Sequence, residues 1–270
     1  MRIKAASYIP VAISVLLVTM THADDFNKLD QAVPANNIIN TQEPVFDFDT
    51  DGCLPAAGIS RDGRKNPGLK NSGGLAEGCD DNNFLNTSNT LHRYACTTSG
   101  KDQFCGHFYA LYFEKDQVAA WIDVFGHRHD WEHVAIWTTN GKITHASYSA
   151  HGKLYTKPAS NAPFEGTHVK FVYHKDGIST HAMRFAKSNE IAENPYGQFV
   201  TPTIVSWYEL VGDGIVNREM RNKLNSFDYG KATIPLKDSN FRTRLNDNRP
   251  DGYPLFSEQD IEASNPNHKG

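Results

Sequence analysis

The chain has 270 residues, of which 39% are hydrophobic, 11% aromatic and 21% charged, with 20 glycines and 13 prolines. That composition excludes a fibrous, low-complexity or wholly disordered protein. Twenty-seven basic residues against 31 acidic ones give a formal charge of −4, so no net positive field steers the chain onto nucleic acid.

The chain opens on Met1-Arg2-Ile3-Lys4, continues through a mostly apolar run from Ile9 to Met20, and reaches the small residue Ala23 after Thr21-His22. Basic start, apolar centre and small terminal residue are the order of a secretory signal peptide. Residues 1–23 are expected to be removed, a retained anchor being the alternative, leaving a mature chain from about Asp24 that acts outside the cytoplasm. The apolar run is short for a bilayer span, and no later segment approaches eighteen consecutive apolar residues. Residues 24–270 contain no repeat or linker and read as one domain with a disulfide-stapled N-terminal extension.

Residues 24–45 are polar and mixed. They lead into Asp47-Phe48-Asp49-Thr50-Asp51-Gly52, which matches the first half of a Ca²⁺ loop, with acids at alternating positions and a glycine at the turn. The twelfth position would be Gly58, so no bidentate glutamate follows and Cys53 ties the segment down instead. Two readings stay open: a Ca²⁺ site completed from elsewhere by Asp80 or Asp81, or a solvated acidic turn.

Cys53, Cys79, Cys96 and Cys105 are an even set, which in an exported chain implies disulfides. Of the three pairings, nearest-neighbour closure (Cys53 with Cys79, Cys96 with Cys105) forms two short independent loops and is the expected one. No C-x-x-C pair exists, which weakens a zinc reading. Residues 58–90 are dense in Gly, Asn, Asp and Ser and read as long irregular structure.

From Phe104 the texture changes to short aromatic and β-branched runs: Phe108 to Phe113, Val118 to Phe125, His133 to Thr138, Ile143 to Tyr148, Val169 to His174 and His181 to Ala186. These are expected strands, with turns such as Asn140-Gly141 and Asp176-Gly177. Ile215 to Phe227 has helical composition, ended by Gly230. Short strands with few helices argue a mainly β protein, a β-sandwich with peripheral helices.

The densest chemistry lies in Gly126-His127-Arg128-His129-Asp130-Trp131-Glu132-His133. Burying such charges without partners costs several kcal/mol each, so they must meet a counter-ion, one another or water. On a regular strand His127 and His129 face one way while Asp130 and Glu132 face the other, and on a helix Glu132 leaves the face shared by His127 and Asp130. A turn at a strand end, wrapped around something small and positive, is therefore expected. Asp130 and Glu132, with Asp116 in the preceding Glu114-Lys115-Asp116-Gln117, supply oxygen-rich ligation with an imidazole, which suits Mg²⁺, Ca²⁺ or Mn²⁺ better than Zn²⁺. The alternative is a surface cluster of mutually neutralising charges.

Gly126 to Glu132, GHRHDWE, resembles the signature heptapeptide of the necrosis- and ethylene-inducing-like proteins, secreted cytolysins of plant-associated fungi, oomycetes and bacteria. The resemblance extends through Tyr109-Ala110-Leu111-Tyr112-Phe113, Lys115-Asp116, Val134-Ala135-Ile136-Trp137, His181-Ala182, Trp207-Tyr208-Glu209-Leu210 and Tyr229-Gly230-Lys231-Ala232, with Pro235 and Phe241, over most of residues 90–250. It implies a β-sandwich akin to the sea-anemone actinoporins and fungal lectins. It also implies a cavity that holds a divalent cation, Ca²⁺ or Mg²⁺, and receives the terminal sugar of a plant-membrane glycosyl inositol phosphorylceramide. By position, Asp116, His127, Asp130 and Glu132 would hold the ion directly or through water, and His129 and His181 would line the cavity. Trp131 is expected to pack beneath the loop as core. The Asp47, Asp49, Asp51 segment is similar to one carried by the subgroup with a second cysteine pair, which favours the ion-binding reading there.

Some positions depart from the family pattern. Gln117 to Phe125 is longer and more apolar than the usual connection, Thr180 replaces an acidic or amide residue, and the loop Lys175 to Ser179 lacks a membrane-touching tryptophan. These departures spare metal binding and bear on cytolytic potency. The expected function is a non-enzymatic secreted cytolysin with peripheral membrane contact. Its alternatives are a non-cytolytic lectin-like or immunogenic relative, and a metal-dependent hydrolase using His127, His129, Asp130, Glu132 and His133 around an ion-activated water.

Overall fold

A computed structural model describes residues 26–266 apart from 37, 40 and 124; the expected signal peptide, residues 1–23, lies outside them. Among the described residues twelve strands are formed: β1 (Val45–Phe48), β2 (Ser72–Gly73), β3 (Asn89–Ser99), β4 (Asp102–Asp116), β5 (Trp121–Ile122), β6 (His127–Thr139), β7 (Lys142–Ala150), β8 (Lys153–Pro158), β9 (Phe164–Glu165), β10 (His168–Lys175), β11 (His181–Phe185) and β12 (Thr203–Ser206). Three helices follow: α1 (Asn217–Ser226), α2 (Phe241–Asn248) and α3 (Glu258–Glu262). The larger sheet has the order β12-β3-β4-β6-β7-β8, antiparallel except where β12 joins β3. The smaller has the order β1-β10-β11, with β9 also on β10, and β2 pairs only with β5.

The two central strands β4 and β6 are covered on both faces. Tyr109, Leu111, Phe113, Val134 and Ile136 pack against Phe46, Phe48, Phe171 and Tyr173 of the smaller sheet. Phe108, Ala110, Tyr112, Trp131, Ala135 and Trp137 face Trp207, Met220, Leu224, Phe241 and Leu245 on the helical side. Burial on both sides explains why these strands read as continuous apolar runs instead of alternating ones. Near one end of this sandwich the rings of Phe113 and Tyr173 stack with centroids 3.7 Å apart.

The mainly β sandwich with peripheral helices is the observed architecture. Asn140 and Gly141 both adopt positive φ (50° and 73°), the conformation a two-residue hairpin between β6 and β7 demands. Both expected disulfides, Cys53–Cys79 and Cys96–Cys105, are present. The second joins residues directly opposite each other in the β3–β4 ladder. Three expectations need correction. Val118 to Phe125 is not a strand: only Trp121–Ile122 pairs, with Ser72–Gly73, because the side chain of Asp123 draws the loop in on itself. Strand β3 begins at Asn89, within what reads as irregular sequence. The charged heptapeptide is no turn: Gly126 precedes strand β6, and His127 to Glu132 form its first half.

Candidate metal centre

Strand parity is broken at one residue. His129 has φ +65°, a left-handed conformation uncommon for a side chain of its size. This interruption reconciles His127 and Asp130, which a regular strand would place on opposite faces. One ligand atom from each of Asp116, His127 and Asp130 then lies within 4.8 Å of the others. Asp116 ends β4 directly opposite His127 in the ladder, so both strands contribute to one corner.

In each of these three residues one ligand atom is held by a hydrogen bond, and among the described residues the other takes part in none. His127 Nδ1 donates to the carbonyl of His129 at 2.7 Å, which leaves Nε2 as the lone-pair nitrogen, 4.0 Å from Asp116 Oδ2. Asp116 Oδ1 accepts from the backbone N–H of His181 (2.9 Å) and its ring Nδ1 (2.7 Å). Asp130 Oδ2 accepts the Tyr173 hydroxyl at 3.1 Å. Such outer hydrogen bonds orient metal ligands. Glu132 stands beside this group in the same cavity but is not within its radius; it accepts the hydroxyl of Ser149, which is itself fixed by the His133 N–H at 2.8 Å.

The electrostatics are unbalanced. Asp116, Asp130 and Glu132 are all buried, and among the described residues no lysine or arginine forms an ion pair with them. Burial, and then the charge of Asp116, raise the Asp130 carboxyl well above the carboxylate range. Burial, and then Asp130, do the same to Glu132. Burial opposes protonation of His181, but its bonds to Asp116 and Asp51 outweigh that and raise its pKa. A buried carboxylate excess with bare oxygens and a bare imidazole nitrogen fits a hard divalent cation. The surrounding cavity, of about 200 Å³, is completed by His151, Thr180, Lys231, Thr233 and Arg244 among others.

Not every expected site residue faces this cavity. His181 lines it. His129 does not: its Nδ1 bonds the Tyr112 hydroxyl at 2.6 Å and its ring meets the edge of Tyr229, within the helical-side core. Burial, with Lys65 and Arg128, lowers its pKa to about 4. Trp131 packs as core, so close to Gly58 that a Cβ there would lie 2.4 Å from the indole. Among the described residues Asp47, Asp49 and Asp51 do not bring ligand atoms within 4.8 Å of one another. Asp47 is saturated by the amides of Phe48, Glu193 and Asn194, Asp49 meets Arg184 at 3.5 Å, and Asp51 offers its carbonyl to His181 Nε2 at 3.0 Å. Asp81 is engaged by Asn83 and Thr87. Tyr173, Ser149 and Arg244, which lie far from the heptapeptide in sequence, have no signal there that marks them.

Comparison with known proteins places this geometry in context. The profile described as "Necrosis inducing protein (NPP1)" matches residues 36–248. NLP effector protein 3 of Phytophthora capsici is 31% identical over 203 residues, covering 73% of this chain and 75% of the relative. Necrosis-inducing protein NPP1 of Phytophthora nicotianae is 27% identical over 203 residues, covering 73% and 76%. Among solved structures, NLPPya in complex with glucosamine aligns with a TM-score of 0.64 at 24% identity, covering 82% of this chain and 95% of that one. The non-toxic HaNLP3 protein aligns with a TM-score of 0.63 at 23% identity, covering 82% and 94%.

Proposed function

The chain belongs to the family of necrosis-inducing proteins, and from that premise we propose that it is a secreted cytolysin acting on plant membranes. Asp116, His127 and Asp130 bind a divalent cation, Ca²⁺ or Mg²⁺, with Glu132 acting through water. The cavity takes the sugar head group of a glycosyl inositol phosphorylceramide, and membrane damage and necrosis follow. The observation that carries this reading is the convergence of one ligand atom each from Asp116, His127 and Asp130 within 4.8 Å in a corner whose three carboxyl groups are buried. A bound cation supplies open coordination positions to which sugar hydroxyls can be ligated. His181 and Tyr173 hold the carboxylates in place, while Lys231, Thr233 and His151 offer hydrogen bonds at the mouth.

Two disulfides fit an extracellular protein, and a mature chain from about Asp24 is part of the proposal. The amino-sugar complexes of NLPPya support a sugar as the ligand class. The family is one of necrosis-inducing effectors and not of enzymes. The hydrolase reading also loses two of its groups, because His129 lies in the core and His133 is buried against the ring of Phe108.

The test is binding and dye release with vesicles of phosphatidylcholine and plant glycosyl inositol phosphorylceramide. Asp130→Glu or Glu132→Asp keeps the charge but moves an oxygen by a methylene. Each is expected to lose at least tenfold in binding with unchanged circular dichroism, since a cation shared by carboxylates has a fixed geometry. Lys175→Ala is expected to produce a mild, salt-sensitive change. Full binding by folded Asp130→Ala overturns the reading. Retained binding without dye release identifies a non-lytic member of a family in which HaNLP3 is described as non-toxic.

A further inference from the structure

The loop between β4 and β6 springs from the candidate metal centre, since Asp116 and His127 are its two ends. At its tip Trp121 is 74% exposed and Phe125 73%, beside exposed Ala119 and Ala120. The adjoining β10–β11 turn, which leads directly into His181, carries Ile178 at 95% exposure. Two large aromatic side chains exposed within five residues of one loop are more than the single scattered exposures usual on a surface.

The loop is built to hold them there. Asp123, the one charged residue from Val118 to Phe125, spends its carboxylate inward on the backbone N–H groups of Val118, Phe125 and Gly126. Asn71 Nδ2 donates to the Asp123 carbonyl at 2.8 Å, Gln117 Nε2 to the Ala119 carbonyl at 3.2 Å, and Lys115 Nζ fastens strand β2 and the residue after it through the carbonyls of Ser72 (3.3 Å) and Gly74 (2.7 Å). Trp121 itself has φ +73°, a genuine outlier for a bulky residue, and such strain persists only where surrounding structure enforces it. On the neighbouring turn Lys175 Nζ is likewise bound to the carbonyls of Gly177 and Ser179. The β4–β6 loop therefore presents apolar side chains with its one charge turned back onto its own backbone, while on the β10–β11 turn Lys175 is bound to the turn's carbonyls and the carboxylate of Asp176 is paired with His151 at 2.9 Å.

We propose that Trp121 and Phe125, with Ile178, form a rigid wedge that enters the interfacial layer of a lipid bilayer. Three considerations favour a bilayer over a protein partner. The side chains stand on two separate loops, whereas specific protein interfaces bury about 800 Å² per partner. Internally satisfied amides and an inward carboxylate are what a low-dielectric layer requires of irregular backbone. Tryptophan beside other apolar groups is the composition of membrane-interface anchors. The wedge rests on the head-group reading only in orientation: a lipid sugar in the cavity brings these same tips to the bilayer surface.

Cosedimentation of the mature, disulfide-bonded protein with two vesicle types tests this: phosphatidylcholine alone, and phosphatidylcholine with plant glycosyl inositol phosphorylceramide. The double variant Trp121→Ser/Phe125→Ser is expected to partition at least tenfold more weakly than wild type onto the sphingolipid vesicles, with circular dichroism and binding of free glucosamine unchanged. Trp121→Tyr is expected to restore most of that loss. Brominated acyl chains are expected to quench wild-type tryptophan emission, and Trp121→Phe to remove the quenching. If the double variant partitions like wild type, or wild type sediments with neither vesicle, the wedge is overturned. If Asp130→Asn partitions like wild type while the double variant is lost, the head-group reading fails and the wedge stands.

Discussion

His181 donates both its backbone N–H and its ring Nδ1 to a single oxygen of Asp116, Oδ1, at 2.9 and 2.7 Å. Its other ring nitrogen donates to the Asp51 carbonyl at 3.0 Å. The imidazole is thus clamped at both ends, and Asp116 Oδ2 is left facing His127 and Asp130. His181 acts on the site through Asp116, as a positioning residue.

His181→Ala therefore leaves every ligand in place but releases one of them. Losing such an outer partner typically lowers metal affinity 10–100-fold. Titration calorimetry with Ca²⁺ or Mg²⁺ is expected to show that weakening, with a smaller loss for His181→Asn, which keeps a side-chain donor. Unchanged affinity in His181→Ala would show that the clamp has no role in ligation.

Ion binding is expected to be visible as stability. A ligand present at about one hundred times its Kd stabilises the native state by about 2.7 kcal/mol, which for a domain of this size raises Tm by roughly 5–10 °C. Differential scanning fluorimetry in chelator and then in millimolar Ca²⁺ or Mg²⁺ is expected to show that rise for wild type and none for Asp130→Asn. Identical melting points in chelator and metal would rule against the centre.

The pair His92 and His107 predicts a pH dependence away from the metal centre. His92 Nδ1 bonds Ser206 Oγ at 2.8 Å and its Nε2 meets His107 Nδ1 at 3.2 Å, both rings being buried. Burial lowers the pKa of His107 to about 3 and that of His92 well below its ordinary value. Between pH 3 and about 6.5 the unfolded chain therefore binds protons that the folded chain does not, and stability falls as pH falls. The slope is about 1.4 kcal/mol per pH unit for each histidine involved. Urea unfolding at pH 5.5 and 4.5 is expected to show a shallower decline for His107→Gln than for wild type, with the carboxylate contributions cancelling in the comparison.

Gly126 opens the heptapeptide for a steric reason. A Cβ at that position would lie 2.3 Å from Asp123 Oδ2 and 2.5 Å from the Asp116 carbonyl. The first atom belongs to the clamp of the β4–β6 loop and the second to a candidate ligand's own backbone, so neither gives way cheaply. Gly126→Ala is expected to cost about 1–3 kcal/mol, the usual range for overpacking, and to abolish the metal-dependent rise in Tm. Gly141→Ala, where nothing lies within 4 Å of the added Cβ, meets only the φ penalty of about 1 kcal/mol and is expected to keep that rise.

The sequence by itself determined the central strands, the cystine pairing and the identity of the charged segment. Runs such as Phe108 to Phe113 and Val134 to Trp137 are apolar without interruption because β4 and β6 are buried on both faces, and five ionisable residues within the six from His127 to Glu132 cannot be accounted for as core. Helix α2 was hidden because only Phe241 and Leu245 of its eight residues are buried, too few to write a helical period. Strand β3 was hidden because buried Asn89, Thr90, His92 and Arg93 look like loop composition. The tertiary structure decided the rest of the site. A one-dimensional pattern carries the parity of a regular strand, and only the left-handed backbone at His129 overrides it, turning His127 toward Asp130 while its own ring enters the core. Ser149 and Arg244 reach the cavity from β7 and α2, and Tyr173 bonds Asp130 from β10. Their roles exist only through distances of a few ångströms that sheet packing creates, because hydrogen bonds and charge neutralisation act through space and not along the chain.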